Sequence, residues 1–161
     1  MTPRPMTADD ESGVREIYRL CNPAAAGFPS LGSISPAGHA APALDGATPR
    51  PPFWYFVHPT LVIESGNMLV GFTSFTVTVI PGFGETLYGM GIAVHPDYRG
   101  QALGEILHTE RLRLGHANGV RILMGVKSGE NKSMSKIFEK SGMHHGISGG
   151  KDVLFVGPIG A

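Results

Sequence analysis

Residues 91–104 constrain the fold more than any other stretch, because they pass from strand to turn to helix within a few positions. Ile92 and Val94 are β-formers, and Pro96 ends the strand because it has no N–H for a ladder. Pro96-Asp97 opens a turn. Gly100, Ala102 and Gly104 keep the next backbone bare, and an apolar pattern of helical period begins at Leu103. Unpaired N–H groups at a helix start, with nothing bulky in front of them, bind anions. Several N–H groups in a row suit a phosphate or pyrophosphate best.

The flanking sequence supplies a sheet for that loop. Residues 60–64 predict a strand, Ser65-Gly66-Asn67 a hairpin turn, and 68–80 a long strand of bulky and β-branched residues. After the turn at 81–84, residues 85–94 run back as a third antiparallel strand. Gly89 and Gly91 inside it predict a bulge or a close backbone approach by a ligand. A helix is expected over 102–117, with Leu103, Ile106, Leu107 and Leu114 on one face and Glu105, Arg111 and Arg113 towards water. Asn118-Gly119 stops it, and 120–126 reads as a strand, so the connection is a parallel crossover. A second helix at 132–141 buries Met134, Ile137 and Phe138 and ends at Gly142. The tail predicts a hairpin whose second strand holds 153–156.

The N-terminal part reads as a short strand or tail at 1–6, then a helix capped by Thr7 with Asp9 and Asp10 in its first turn. Val14, Ile17, Tyr18 and Cys21 form one stripe, which makes Cys21 core packing rather than a nucleophile. Residues 23–52 differ: seven of the 13 prolines fall there, only Asp45 and Arg50 are charged, and no periodicity lasts. The segment reads as a long loop, with one short helix near 37–44, that covers a site or simply connects. The aromatic cluster Phe53-Trp54-Tyr55-Phe56 suits core, a homodimer face or an acceptor pocket.

The 161 residues predict one domain, 1–161. Lys plus Arg equals Asp plus Glu at 13 each, which argues against a nucleic-acid partner. A single cysteine excludes an internal disulfide, and the seven histidines show no metal-ligand spacing. No apolar run reaches the roughly 18 residues of a membrane span, and no apolar leader opens the chain. The expectation is a soluble, cytoplasmic protein without metal or membrane partner. Gly89-Met90-Gly91 lacks the third glycine of a dinucleotide fingerprint, since Val94 stands there; P-loop and esterase-elbow patterns are absent.

Residues 94–104 and 131–143 together resemble two motifs of the GNAT superfamily of N-acetyltransferases. The first is similar to its acetyl-CoA loop, Arg/Gln-x-x-Gly-x-Gly/Ala after a strand ending in Val-x-Pro. The second is similar to its Asn-to-Gly-Phe helix. The resemblance implies an α/β acyl-CoA N-acyltransferase fold, with a mixed, mostly antiparallel sheet flanked by helices. It implies that Arg99, Gly100, Gln101, Ala102 and Gly104 hold the pyrophosphate of acetyl-CoA. The backbone of Ile92, Ala93 and Val94 would pair with pantetheine as an added strand, and Asn131 would hydrogen-bond the same arm. N–H donors near Val94 would form an oxyanion hole for direct attack by an amine on the thioester. Ala102 replaces a customary glycine; a negative φ there would tolerate the methyl group, and cofactor binding is expected to survive. Phe138 takes the place of a tyrosine that protonates the leaving thiolate in many members, which leaves water, Tyr88 or Tyr98 to do so.

An alkyl ammonium must lose a proton before it attacks. Glu85, Tyr88 and His95 are the candidate bases near the loop, with Glu85 and Tyr88 taken forward as catalytic candidates. Lys132, Lys136 and Lys140 form a helical row that reads as a solvated face rather than a grip on the 3′-phosphate. Neutral charge and the Pro-rich cover lean towards a small-molecule amine acceptor. A non-catalytic acyl-CoA-binding module and a protein N-acetyltransferase are the alternatives.

Overall fold

The computed structural model describes residues 1–21, 60–128, 131–149 and 152–160. The loop expected over 23–52, the short helix expected near 37–44 and the aromatic residues 53–56 lie outside the described residues. In chain order the elements are β1 (Arg4–Pro5), α1 (Glu11–Cys21), β2 (Thr60–Ser65), β3 (Met68–Ile80), β4 (Gly84–Val94), α2 (Leu103–Ala117), β5 (Ile122–Ser128), α3 (Lys132–Lys140), β6 (His144–Gly149) and β7 (Asp152–Pro158). The strands form one sheet ordered β1-β2-β3-β4-β5-β7-β6. β4 and β5 run parallel, joined through α2 as the crossover reading requires, and the other neighbours are antiparallel.

Helices cover both faces because β2, β3 and β4 are apolar on both. On one face Val14 and Ile17 of α1 pack with Val62, Phe72 and Ala93. On the other, Leu103, Leu107 and Leu114 of α2 and Phe138 of α3 pack against Ile63, Phe75, Val77 and Leu87. Arg4 ties the N-terminal edge together. Its guanidinium donates to both oxygens of Asp10 at 2.7 and 2.9 Å and also to Glu64 of β2. The Asp10 carboxylate further accepts from the backbone N–H and the hydroxyl of Thr7, which fixes the entry into α1.

Two departures from regular sheet position the site. Ser74 pairs with Gly91 and Phe75 with Gly89, so Met90 is an extra residue in β4 and the expected bulge is there. The β4–β5 ladder starts at Thr86 and Ile122 and ends at Gly89 and Gly125. Beyond that pair β4 continues to Val94 and β5 to Ser128 without partnering each other, so the strands open into a V.

One helix assignment needs correction. Arg111 does not face water: it is 1% exposed. Residue 111 follows Leu107 by four and precedes Leu114 by three, which puts it on the apolar stripe of α2. His108 beside it is also buried. Among the described residues no helix is long and apolar enough to cross a membrane.

The Arg4 hydrogen bonds hold the Asp10 pKa at about 2, below its ordinary 3.8. A depressed carboxylate stabilises the fold fully above its unfolded pKa and loses that contribution as pH falls through the folded one. Asp10→Asn should therefore cost about 2 kcal/mol in urea unfolding at neutral pH and flatten the loss of stability between about pH 4 and 2. An acid limb as steep as the parent's would contradict this role.

Candidate functional site

A cleft of about 660 Å³ opens beside the V. One wall is the end of β4, one the loop and first turn of α2, and one the start of α3. After β4, His95 accepts a hydrogen bond at Nδ1 from the Asp97 N–H and caps a short 3-10 turn at Pro96–Tyr98. Gly100 then takes φ +80 and Ala102 φ +58, so the chain reverses through two left-handed residues into α2. The expected negative φ at Ala102 is not found. A left-handed alanine costs roughly 1–2 kcal/mol relative to ordinary geometry. Ala102 is the N-cap of α2 and has no side chain to cap with, so among the described residues the first N–H groups of the helix, which line the cleft, have no capping side chain.

The β4 wall presents backbone. The His95 N–H donates to the Val70 carbonyl at 2.8 Å, so by antiparallel alternation Ala93 and His95 turn to β3 while Ile92 and Val94 turn to the open edge. Part of that edge is already used: the Val94 carbonyl accepts from the Cys21 thiol at 3.3 Å and from Arg99 Nε at 3.4 Å. Cys21 thus lines the cleft, with Arg99 Nη2 3.4 Å from its sulfur, rather than serving only as core.

On the α3 wall, Asn131 accepts from the Met134 N–H at 3.0 Å and so caps the helix with its side-chain oxygen. Its amide N–H₂ is what it can offer a ligand. Lys140 donates to Glu105 at 2.9 Å and ties α3 to the first turn of α2. Gly104 lets these walls approach: a Cβ there would lie 3.3 Å from Ile137 Cδ1.

The structure brings Ile92, Ala93, Val94, Arg99, Gly100, Ala102, Gly104 and Asn131 to this one cleft, together with Lys136 and Lys140. Gln101 is exposed on the same loop but does not line it. Phe138, expected at the cofactor, lies in the core at 3% exposure, with ring centroids 5.1 Å from Phe155 and 5.7 Å from His108. Glu85 and Tyr88 are not brought together. Leu87 and Gly89 face α2, so Glu85 shares their face and Tyr88 has the opposite one. Glu85 is four residues from Gly89, about 13 Å along the strand. Tyr88 adjoins the apex of the V but does not line the cleft.

A buried polar chain below the apex was not legible as a site. Arg111 Nε and Nη2 donate to His108 Nδ1 at 3.1 and 2.7 Å. His108 Nε2 lies 3.0 Å from Ser141 Oγ, which donates to the Phe138 carbonyl at 2.9 Å. These directions suit a neutral imidazole with its proton on Nε2. Burial, and then the Arg111 charge, lowers the His108 pKa to about 3. Burial lowers that of Arg111 to about 9. The signal that could have found the chain is the position of both residues on the apolar stripe of α2.

A family model described as the acetyltransferase (GNAT) family matches residues 14–143. No curated protein sequence matches the chain. Solved structures share the fold. The ribosomal-protein-S18-alanine N-acetyltransferase of Escherichia coli aligns over 99% of this chain and 94% of its own, with TM-score 0.68 and 16% identity. The yncA protein of Salmonella typhimurium, solved with acetyl-CoA, aligns over 99% and 94%, with TM-score 0.70 and 19% identity. A candidate phosphinothricin N-acetyltransferase aligns over 96% and 94%, with TM-score 0.68 and 23% identity.

Ala102→Gly should relieve the left-handed strain and raise the Tm of the free protein by roughly 2–4 °C. A thermal melt with an unchanged or lower Tm would contradict the strained loop.

Proposed function

The chain belongs to the acetyltransferase (GNAT) family, and on that basis we propose that it moves an acetyl group from acetyl-CoA to a primary amine of a small molecule. The observation that carries the reading is the joining, in one cleft, of a bare helix start to an open strand edge. The N–H groups at the start of α2 and the cations Arg99, Lys136 and Lys140 suit the phosphates. The N–H groups of Ile92 and Val94 and the Ile92 carbonyl suit an amide-bearing arm laid along β4. The acetyl-CoA complex of the yncA protein, which has the same fold, supports this donor.

The reaction forms a bond from the amine nitrogen to the thioester carbon and breaks the carbon–sulfur bond, leaving the electron pair on sulfur. The ammonium proton goes to a base or water, and the thiolate takes up a proton. Negative charge grows on the carbonyl oxygen, so N–H donors of β4 at the bulge would lower the barrier. With Phe138 in the core, protonation of the sulfur falls to water, to Tyr98, which lines the cleft, or to Tyr88 beside the apex.

In a thermal-shift titration, acetyl-CoA should raise the Tm progressively, by about 2.7 kcal/mol of stabilisation at a hundred times Kd. A folded Ala102→Asp protein, with a carboxylate at the helix start, should lose most of that rise; equal shifts in both would sink the phosphate assignment. Free-thiol release across a panel of small primary amines tests transfer. Release with at least one amine is expected. Silence with every amine, despite an acetyl-CoA shift, would replace the enzyme reading with an acyl-CoA-binding module.

A further inference from the structure

Arg111 is a wholly buried cation that binding of the phosphates does not use. Among the described residues no carboxylate pairs with it; its acceptors are His108 Nδ1 and Thr73 Oγ1, the latter 3.3 Å from Nη1. An unpaired buried charge opposes folding, and an apolar side chain of similar length would fill the same space without that penalty. The place it occupies gives the charge a use. Its guanidinium packs against Gly89, where a Cβ would come within 2.7 Å of Nη1 and 3.1 Å of Nη2. Through Thr73, whose hydroxyl donates to the Gly91 carbonyl at 2.9 Å, it also reaches the other flank of the bulge. Across the V, the Phe138 ring fills the space where a Cβ of Gly125 would sit, 2.9 Å from its Cζ. The floor of the apex is therefore one charged and one aromatic group, with neutral His108 between them.

The open edge of β4 from Val94 to Gly89 is about 16 Å long. An acyl-CoA arm paired along it from the helix start brings its thioester end to the apex.

We propose that Arg111 is a positioning residue for acyl transfer: it clamps the β4 bulge on both flanks and keeps a positive charge under the apex, favouring the oxyanion and the leaving thiolate. The inference rests on the acetyl-transfer reading above. Among the described residues the other charged side chains towards the apex are Lys127, buried on β5 over the Phe155 ring, and Glu85, further up β4 on the same face. Of these three, Arg111 is the one packed against Gly89.

Arg111→Met tests it through two readouts. With CoA bound, thiolate absorbance at about pH 8 should show a thiolate fraction roughly two- to threefold larger in the parent than in Arg111→Met. In turnover, kcat should fall roughly 10- to 100-fold while the KM for acetyl-CoA stays within about threefold. Arg111→Lys should recover part of both effects, because it keeps the charge. Equal thiolate fractions with unchanged kcat would overturn the proposal, as would a parallel loss of kcat and acetyl-CoA affinity, which marks a merely structural role. If Arg111→Met does not fold, Thr73→Val severs the link to Gly91 by removing one hydroxyl. It should lower kcat several-fold at unchanged KM, and an unaltered kcat would overturn the clamp. A parent protein that binds CoA but acetylates no amine refutes the transfer reading instead, and the thiolate readout still decides the role of Arg111. A parent that binds no CoA overturns both.

Discussion

The divergence of β4 from β5 after Gly89 and Gly125 is the constraint on which the rest of the structure depends. Had the parallel ladder continued to Val94, the backbone of Ile92 and Val94 would be consumed within the sheet. Neither glycine can be replaced without a clash, because Arg111 occupies the Cβ space of one and Phe138 that of the other. Side chains of α2 and α3 thus press up into the sheet where it splits. The bulge at Met90 adds to the effect by shifting the alternation of β4, so that Leu87 and Gly89 face α2 before it and Ile92 and Val94 after it.

The loop at the mouth of the cleft follows a related logic. α2 begins without a capping side chain and enters through a left-handed alanine, and both features oppose stability. Their joint consequence is a row of N–H groups that no side chain among the described residues caps. A doubly charged pyrophosphate placed there would satisfy those donors and complement the helix dipole. Local strain and an uncapped helix at one point are the pattern expected where binding, rather than folding, sets the requirement. The Asn131 cap and the Lys140–Glu105 pair then hold α3 against the same end of α2.

Most of the architecture was legible because its signals are local. The bulky and β-branched run over 68–80, the stop at Asn118-Gly119 and the Gly142 cap correspond to β3, the end of α2 and the end of α3. Gly89 and Gly91 announced the bulge that the register shows. The cleft residues of the loop and of β4 were legible for the same reason. What escaped depends on packing between distant elements. Arg111 looked like a solvent-facing charge, since residue type was weighed above its place on the Leu107–Leu114 stripe. The burial of Phe138 on its helix was legible, but its motif position also put it among the cofactor residues, whereas its ring is claimed by Gly125, His108 and Phe155. The φ of Ala102 depends on how the loop must turn to reach α2, which composition does not reveal.

The central claim is that the open edge of β4 and the bare start of α2 act together as the seat of acetyl-CoA. Backbone amide hydrogen exchange, read residue by residue with and without acetyl-CoA, tests it most directly. The account predicts new protection at Ile92 and Val94 and at Leu103, Gly104 and Glu105, with little change in β1, β2 and β6. Protection confined to other elements, or none at saturating acetyl-CoA, would contradict it.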